Sequence, residues 1–329
     1  MKDLVLFCKT YNGDIERFKV LKESVDKFNV DKIPFYVVCP KKDKELFLFL
    51  KTGKENYDYN IITDEEVLSM SPNESHEQNW YSQQVIKLNF YKLGLCKHYF
   101  ILDSDCYFIR DFKIEDYIFD ENTPYLPLTE PLKGAETNFM QLFRSINNKD
   151  EEKLWNTGSK NYIDRKGKRF CLNLPCVFST EVLKDMEKNL LEKNNLTYQK
   201  LIEINPFEFE WYCDYIVKYK PIDYIVCTPF FVSFYTQTLY TLYRYLGWTE
   251  KTLAHYYTGL IMHEGYIKDF KYKSSLIGSF IRKLILVNYS WHKEKISKKK
   301  EKVSLRKKIK NLIKKYIKMP IKICFSKIK

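Results

Sequence analysis

Phe100-Ile-Leu-Asp-Ser-Asp-Cys-Tyr-Phe108 is the stretch of this chain that decides its fold. Together with Tyr99, the first three of these residues form an apolar run, as in a strand that is buried on both faces of a sheet. Asp103, Ser104 and Asp105 follow where that strand would end. In parallel α/β sheets, ligands bind beyond the carboxyl ends of the strands. The stretch therefore predicts a polar site at one edge of a buried sheet.

The residues before this stretch alternate strand patterns with helix patterns. Short apolar runs predict strands at 4–8, 33–39, 59–63 and 99–102, and apolar residues at three- and four-residue steps predict helices at 14–28, 42–51 and 80–95. Asp14 suits the N-cap of the first helix, and the later chain offers strands at 124–128 and 174–178 and helices at 182–191 and 207–219. This alternation predicts an α/β fold with a mixed, mostly parallel, Rossmann-like sheet that is flanked by helices.

Composition and charge narrow the class of protein. The chain has 329 residues, 45% of them apolar and 16% aromatic, which is sufficient for a packed core. Its net charge is +13, yet residues 290–329 hold 16 Lys and Arg against 2 Glu, so the remaining chain has a balance of −1. No nucleic-acid recognition motif accompanies the basic segment, so we expect no nucleic-acid partner.

Membrane spans and disulfides are not expected. No uninterrupted apolar run reaches the length of about 18 residues that a spanning helix needs, and the N-terminus lacks a signal-peptide pattern. The 9 cysteines form no C-x-x-C pair, which favours buried thiols in a reducing compartment. We therefore expect a cytoplasmic protein.

The Asp103-Ser-Asp105 segment has the chemistry of a metal site. Two carboxylates one residue apart can approach a single hard cation such as Mn²⁺ or Mg²⁺, which keeps positions free for the oxygens of a diphosphate. In sugar transfer, such a cation neutralises the charge that develops on the leaving nucleotide diphosphate. The alternative is a turn with two solvated carboxylates, because D-x-D also arises by chance.

Three motifs resemble one known family. Leu102-Asp-Ser-Asp-x-x-Phe108-x-Arg110-x-Phe112, preceded by Tyr81-Ser-Gln-Gln84-x-x-Lys87, is similar to the bacterial GT-A-like glycosyltransferases of surface-polysaccharide gene clusters. The opening segment, Lys9-Thr-Tyr-x-Gly13-Asp14-x-x-Arg17-Phe18, is similar to the start of those chains. The resemblance implies a GT-A-like fold, a nucleotide-diphosphate sugar donor and a carbohydrate acceptor.

The same resemblance implies roles for individual residues. Asp105 would bind the metal directly, whereas Asp103 would contact metal-bound water or the ribose. Thr10 and Tyr11 would lie at the nucleobase and ribose, and the donor-binding residues would be Thr10, Tyr11, Arg17, Gln84, Lys87, Asp103 and Ser104. Two alternatives stay open. Asp14 and Arg17 could form only a helix cap and a surface pair, and Gln84 and Lys87 could lie on a solvated helix face.

The acceptor side needs a base if the enzyme inverts configuration. Glu208 and Glu210 resemble an acidic segment of the family, so either carboxylate is a candidate, although two acidic residues also suit the first turn of any helix.

His263 follows an apolar run and is a third candidate metal ligand, although a histidine in such a run is also common in a protein core.

The basic tail has a helical pattern. Apolar residues share one face of a helix over 305–317 and lysines fill the other faces, which is typical of a helix lying on an anionic membrane. A solvated terminal helix, or one packed on its own domain, is the alternative.

Together these observations predict a peripheral inner-membrane glycosyltransferase that extends a lipid-linked or oligosaccharide acceptor in capsule or lipopolysaccharide synthesis. Residues 1–289 would form one catalytic domain, with a donor half at 1–112 and an acceptor half at 113–289, followed by the tail at 290–329. The competing interpretations are a nucleotidyl- or phospho-sugar transferase, and a sugar-binding protein with structural carboxylates.

Overall fold

A computed structural model describes most of the chain before the tail. The described residues are 2–52, 58–71, 80–129, 162–163, 171–172, 174–234, 240, 243 and 247–262. His263 and the predicted tail helix lie outside the described residues.

The central sheet has the strand order β3-β2-β1-β4-β10. Its strands are β1 (Lys2–Lys9), β2 (Phe35–Cys39), β3 (Asn60–Thr63), β4 (Cys96–Asp103) and β10 (Cys176–Ser179). β1, β2, β3 and β4 run parallel, whereas β10 is antiparallel to β4. The predicted mixed, mostly parallel sheet is confirmed.

Smaller sheets surround this one. Their strands are β5 (Cys106–Phe108), β6 (Ile118–Asp120), β7 (Thr123–Leu126), β8 (Leu128–Thr129), β9 (Cys171–Leu172), β11 (Ile225–Val226), β12 (Phe231–Phe234) and β13 (Gly259–Met262). β13 lies between β12 and β5 and pairs with β5 antiparallel. This pairing fixes β5, which begins directly after the Asp103-Ser104-Asp105 segment.

Helices cover both faces of the central sheet. They are α1 (Ile15–Phe28), α2 (Lys44–Thr52), α3 (Asp64–Ser69), α4 (Trp80–Asn89), α5 (Thr180–Met186), α6 (Tyr198–Ile204), α7 (Glu208–Tyr219) and α8 (Glu250–Leu253). Alternate residues of β1 belong to two different core clusters. Val5 and Phe7 pack with residues of α4 and α7, whereas Leu4 and Leu6 pack with residues of α1 and α2. A strand that is buried on both faces has a continuous apolar sequence, which explains the apolar run at residues 4–8.

One predicted helix is shorter than expected. The periodic pattern predicts a helix to residue 95, but α4 ends at Asn89 and a single 3₁₀ turn follows over Phe90–Leu93. The side chain of Asn89 donates to the carbonyl of Val85, and Gly94 then adopts a left-handed φ of 65°. Such side-chain bonds compete with helix continuation, and a left-handed glycine ends it.

The chain divides into two compact units, of which unit 1 is Met1–Thr241 with Thr249–Phe270 and unit 2 is Leu242–Trp248 with Lys271–Lys329. All the strands and helices given above belong to unit 1. The predicted boundary at residue 289 lies outside the described residues, and the predicted donor and acceptor halves stay a prediction. Within the described ranges, no helix has the length and apolar character that crossing a membrane requires.

Candidate active site

The site lies where the strand order of the central sheet reverses direction. β1 and β4 are adjacent, and Lys9 is paired with Asp103 at their carboxyl ends. The chain leaves β1 toward β2 on one side of this point, whereas β4 lies on the other side. Crevices at such switch points are where ligands bind in open α/β sheets. The structure therefore places the Asp103-Ser104-Asp105 segment at the position where this topology favours a ligand.

The turn that carries the two aspartates is anchored on both sides. The buried hydroxyl of Ser104 donates to Oδ2 of Asp14 at 2.8 Å. The backbone carbonyl of Asp105 accepts from the backbone N–H of Met262 at 2.9 Å. Asp103 and Asp105 themselves are partly exposed. The turn is thus held by its middle residue and its backbone, and the side chains of Asp103 and Asp105 stay partly exposed to solvent.

Asp14 is the N-cap residue of α1, as predicted, but it does not stabilise the helix end through its side chain. Its side chain makes no capping hydrogen bond. Instead, its carboxylate accepts from Ser104 and pairs with Arg17 at 3.4 Å. Arg17 is about half exposed, so the pair borders solvent beside the turn. The carboxylate of Asp14 thus contacts the side chains of Ser104 and Arg17 and caps no backbone N–H of the first turn.

Lys87 lies between two carboxylates. Its Nζ is 2.9 Å from Oδ1 of Asp103 and 3.0 Å from Oε1 of Glu208, and its side chain is only 4% exposed. The hydroxyl of Tyr99 donates to the backbone carbonyl of Lys87 at 2.7 Å, which ties α4 to β4. Burial lowers the pKa of Lys87, but Asp103 and Glu208 outweigh it, so the net pKa is raised above its usual range. Lys87 is therefore a fixed cation inside the site.

Gln84 shares the buried face of α4 with Lys87, one helical turn earlier. With its amide nitrogen turned toward Glu208, as the two carboxylate oxygens there require, Gln84 donates to Oε1 at 3.0 Å. Both side chains are buried, so the alternative of a solvated helix face is wrong. The two residues share one face of α4, and both side chains contact Glu208.

Glu208 enters the site because α7 packs tightly against the sheet. The indole of Trp211 donates to the carbonyl of Asn205 at 2.9 Å, just before the helix begins. The ring of Tyr212 stacks on Phe178 of β10 with centroids 4.0 Å apart, and its hydroxyl accepts from the backbone N–H of Ser179. These contacts fix the first turn of α7, so Glu208 is buried at 2% exposure.

The two predicted base candidates have different surroundings. Burial raises the pKa of Glu208, Lys87 opposes this effect and Asp103 adds to it, so the net pKa is raised. Glu210 is only partly buried, and Asn205 donates to its Oε2 at 2.7 Å. Helical residues two positions apart do not share a face. The structure thus brings Glu208, and not Glu210, against Lys87.

The end of β1 carries the residues expected at the nucleoside. Thr10 is buried, and its hydroxyl has no hydrogen-bond partner among the described residues. Tyr11 is 40% exposed, and its ring covers Gly13 so closely that a Cβ there would lie 2.4 Å from a ring carbon. A side chain at position 13 would therefore displace the ring of Tyr11. An open aromatic ring beside a buried, unpaired hydroxyl suits a stacked and hydrogen-bonded ligand.

A buried ion pair beside Thr10 was missed from the sequence. Nζ of Lys9 donates to the carbonyl of Thr10 at 2.9 Å and pairs with Asp64 of α3 at 3.1 Å. Burial raises the pKa of Asp64, although Lys9 opposes it. The available signal was a lysine that ends an apolar strand run, since a charge placed there needs a partner.

Comparisons with known proteins identify a family but no activity. The model of a family of unknown function, DUF6492, matches residues 3–308. The chain belongs to this family. No curated protein matches the sequence of this DUF6492 chain. Among solved structures, the apo form of mouse xyloside xylosyltransferase 1 is similar with 11% identity and a TM-score of 0.41, over 80% of this chain and 99% of that chain. A similarity this low does not establish a shared activity.

The carboxylates at this site of the DUF6492 protein fit a divalent cation that is bound partly by the protein and partly by substrate phosphates. Asp103 and Asp105 offer hard oxygen ligands, and their partial exposure leaves room for diphosphate oxygens. Across the part of the chain that the structure describes, no three histidine, cysteine or acidic side chains are grouped so that they could hold a metal alone. His263, the predicted additional ligand, lies outside the described residues. Two carboxylates with substrate phosphates are the usual arrangement for Mg²⁺.

The electrostatics of the site also favour a cation. Asp14, Asp103, Asp105 and Glu208 are opposed by Arg17 and Lys87, which leaves a formal charge of −2. Burial raises the pKa of the Cys8 thiol beneath them, and Asp103 and Asp14 raise it further. Arg110, which follows β5, pairs with Asp116 at 3.4 Å, so it is not counted among the charges that oppose these carboxylates. These side chains therefore carry net negative charge, which favours a bound cation.

Proposed function

We propose that this protein is a metal-dependent glycosyltransferase that moves a sugar from a nucleotide-diphosphate donor to a glycan acceptor. The observation that carries the proposal is the placement of Asp103 and Asp105 at the topological switch point, with Lys87 fixed against Asp103 at 2.9 Å. The resemblance of its motifs to bacterial glycosyltransferases of surface-polysaccharide clusters supports a role in capsule or lipopolysaccharide synthesis.

Each part of the site has a task in this proposal. Asp103 and Asp105 would hold Mn²⁺ or Mg²⁺, which when bound neutralises negative charge on the leaving diphosphate. Ser104 keeps the turn in place through Asp14. Thr10 and Tyr11 would bind the nucleoside, because the buried hydroxyl and the open ring lie at the end of β1.

Donor binding tests the proposal directly. We expect the wild-type protein to bind a nucleotide-diphosphate sugar only with Mn²⁺ or Mg²⁺ present, measured by calorimetry across a panel of donors. Asp105→Ala should lose this binding. Asp111→Ala is the matched control, because Asp111 is exposed and follows β5. If Asp105→Ala bound the donor in the absence of metal as tightly as the wild type binds it with metal, the metal site would be refuted.

Product analysis separates the competing activities. A glycosyltransferase breaks the bond between the sugar and the diphosphate, so it releases a nucleoside diphosphate and extends the acceptor. A nucleotidyl- or phospho-sugar transferase instead breaks the bond between the two phosphates and releases no nucleoside diphosphate. A binding protein releases neither product. Chromatography of the nucleotide after incubation with donor, metal and a cell-derived glycan acceptor therefore distinguishes the three functions.

The basic tail is proposed to bind the anionic inner membrane, where a lipid-linked acceptor would lie. Its apolar stripe and its surrounding lysines carry this proposal, since each basic residue near such a surface contributes about 1 kcal/mol. Deleting residues 296–329 should leave a folded protein that no longer sediments with phosphatidylserine vesicles. Sedimentation that does not change after the deletion contradicts the proposal.

A further inference from the structure

Glu208 is buried, and its carboxylate is held by two side chains of one helix. Its side chain is 2% exposed, and its carboxylate accepts from Lys87 at 3.0 Å and from Gln84 at 3.0 Å. A general base must lie within hydrogen-bond reach of the proton that it removes. The donors that Glu208 reaches belong to helix α4. Its contacts are therefore those of a group that holds other residues in place.

We propose that Glu208 is a positioning residue that shares the charge of Lys87 and thereby keeps Asp103 negative enough to bind a divalent cation. The inference rests on the proposed function, since it requires the cation at Asp103 and Asp105. It assigns Glu208 a role in metal affinity in place of proton transfer.

The two distances from Lys87 carry this inference. Its Nζ is 2.9 Å from Asp103 and 3.0 Å from Glu208, so neither carboxylate has the ammonium to itself. If Glu208 were neutral, the whole charge of Lys87 would compensate Asp103, and a compensated carboxylate attracts a cation weakly. With Glu208 charged, Lys87 and its two partners carry −1, and Asp105 adds a further charge.

Burial makes this charge sharing effective. Lys87 and Glu208 lie away from water, where the effective dielectric constant is lower and charges act on each other more strongly. Asp103 is 37% exposed, so its carboxylate contacts the buried ammonium and is also open to solvent. Gln84 also donates to the carboxylate of Glu208, which gives Glu208 a second partner on the same helix as Lys87.

Mn²⁺ binding to the full-length protein without donor tests the inference. Glu208→Gln keeps the side-chain shape and removes the charge, and we expect Mn²⁺ affinity to fall by about 10–100-fold, as for other residues that support metal ligands. The matched control is Glu210→Gln, the same change on the same helix, where the side chain contacts Asn205. This control should bind Mn²⁺ as the wild type does, measured by titration calorimetry.

A second variant covers the case in which Glu208→Gln does not fold. Lys87→Gln/Glu208→Gln removes both charges together, so Asp103 is no longer compensated and no buried ion is left unpaired. We expect its Mn²⁺ affinity to be close to that of the wild type. A double variant that binds Mn²⁺ 10-fold more weakly than the wild type, or as weakly as Glu208→Gln, overturns the charge-sharing explanation.

Steady-state kinetics separates positioning from proton transfer. The inference expects Glu208→Gln to raise the Mn²⁺ requirement and the donor KM, with kcat largely restored at saturating metal. A base would behave in the opposite way, with unchanged Mn²⁺ affinity and a fall in kcat that metal does not restore, and that result overturns the inference. If the wild type binds neither Mn²⁺ nor donor, the proposed function itself fails. Unaltered Mn²⁺ binding in Glu208→Gln alone overturns only the role of Glu208.

Discussion

Lys87→Met should destabilise the protein strongly at neutral pH and weakly in mild acid. The substitution keeps the volume of the side chain and removes the cation that compensates Glu208. Asp103 is 37% exposed and can be solvated, but Glu208 at 2% exposure cannot. Removing one partner of a buried ion pair costs about 3–5 kcal/mol, because a buried charge is left alone.

Protonation of Glu208 limits this loss and makes it depend on pH. Protonating an ordinary glutamate at pH 7 costs about 3.7 kcal/mol, since each pH unit above its usual pKa near 4.3 costs about 1.4 kcal/mol. We therefore expect a loss of about 3–4 kcal/mol at pH 7 and about 1 kcal/mol at pH 5. The sign follows from linkage. The variant binds a proton when folded that the unfolded chain does not bind, so its stability rises as pH falls toward the unfolded pKa.

Urea unfolding followed by circular dichroism at the two pH values measures these losses relative to the wild type. Lys87→Met/Glu208→Gln is the control, and it should recover most of the stability, because no buried charge remains. A loss of less than about 1 kcal/mol at pH 7, or equal losses at both pH values, would show that Glu208 is not a buried charge that depends on Lys87.

Three further predictions concern residues outside this ion pair. Gly259→Ala should lower the free energy of unfolding in urea by about 1–3 kcal/mol, because the added Cβ would lie 2.6 Å from the carbonyl oxygen of Tyr107. An unchanged unfolding midpoint would contradict this close packing. Gly13→Ala should leave the unfolding midpoint unchanged, since its Cβ would meet only the far end of the Tyr11 side chain. The displaced ring should weaken nucleotide binding in calorimetry by about tenfold, and equal affinity refutes a role for that ring. Burial raises the pKa of Asp64, so this carboxyl binds a proton more readily in the folded protein than in the unfolded chain. Relative to Asp64→Asn, the contribution of Asp64 to the free energy of unfolding should therefore increase as pH falls from about 7 to about 4. Urea titrations that show the opposite slope would contradict a buried position of Asp64.

Local patterns were sufficient to predict most of the central sheet and its helices. The apolar run at β1 predicted a strand buried on both faces, and Leu4 and Val5 do pack into opposite cores. The Asp103-Ser-Asp105 segment was predicted at the end of a strand, where it lies. These features were predictable because periodicity and turn chemistry act over a few residues. Where α4 ends was not predictable, since Asn89 also accepts a hydrogen bond from Ser71, in an earlier part of the chain.

Only the tertiary structure decided which charged residues of the site contact one another. Lys87 and Glu208 are 121 positions apart, and no local pattern states that α4 and α7 meet over the end of β4. The sequence by itself determined which residues carry charge and that Asp103 ends a strand. Which charges compensate one another depends on long-range packing, because a buried ion is stable only where folding brings it a partner. For that reason the motifs predicted a metal site with Lys87 nearby, whereas only the fold showed that Lys87 contacts both Asp103 and Glu208.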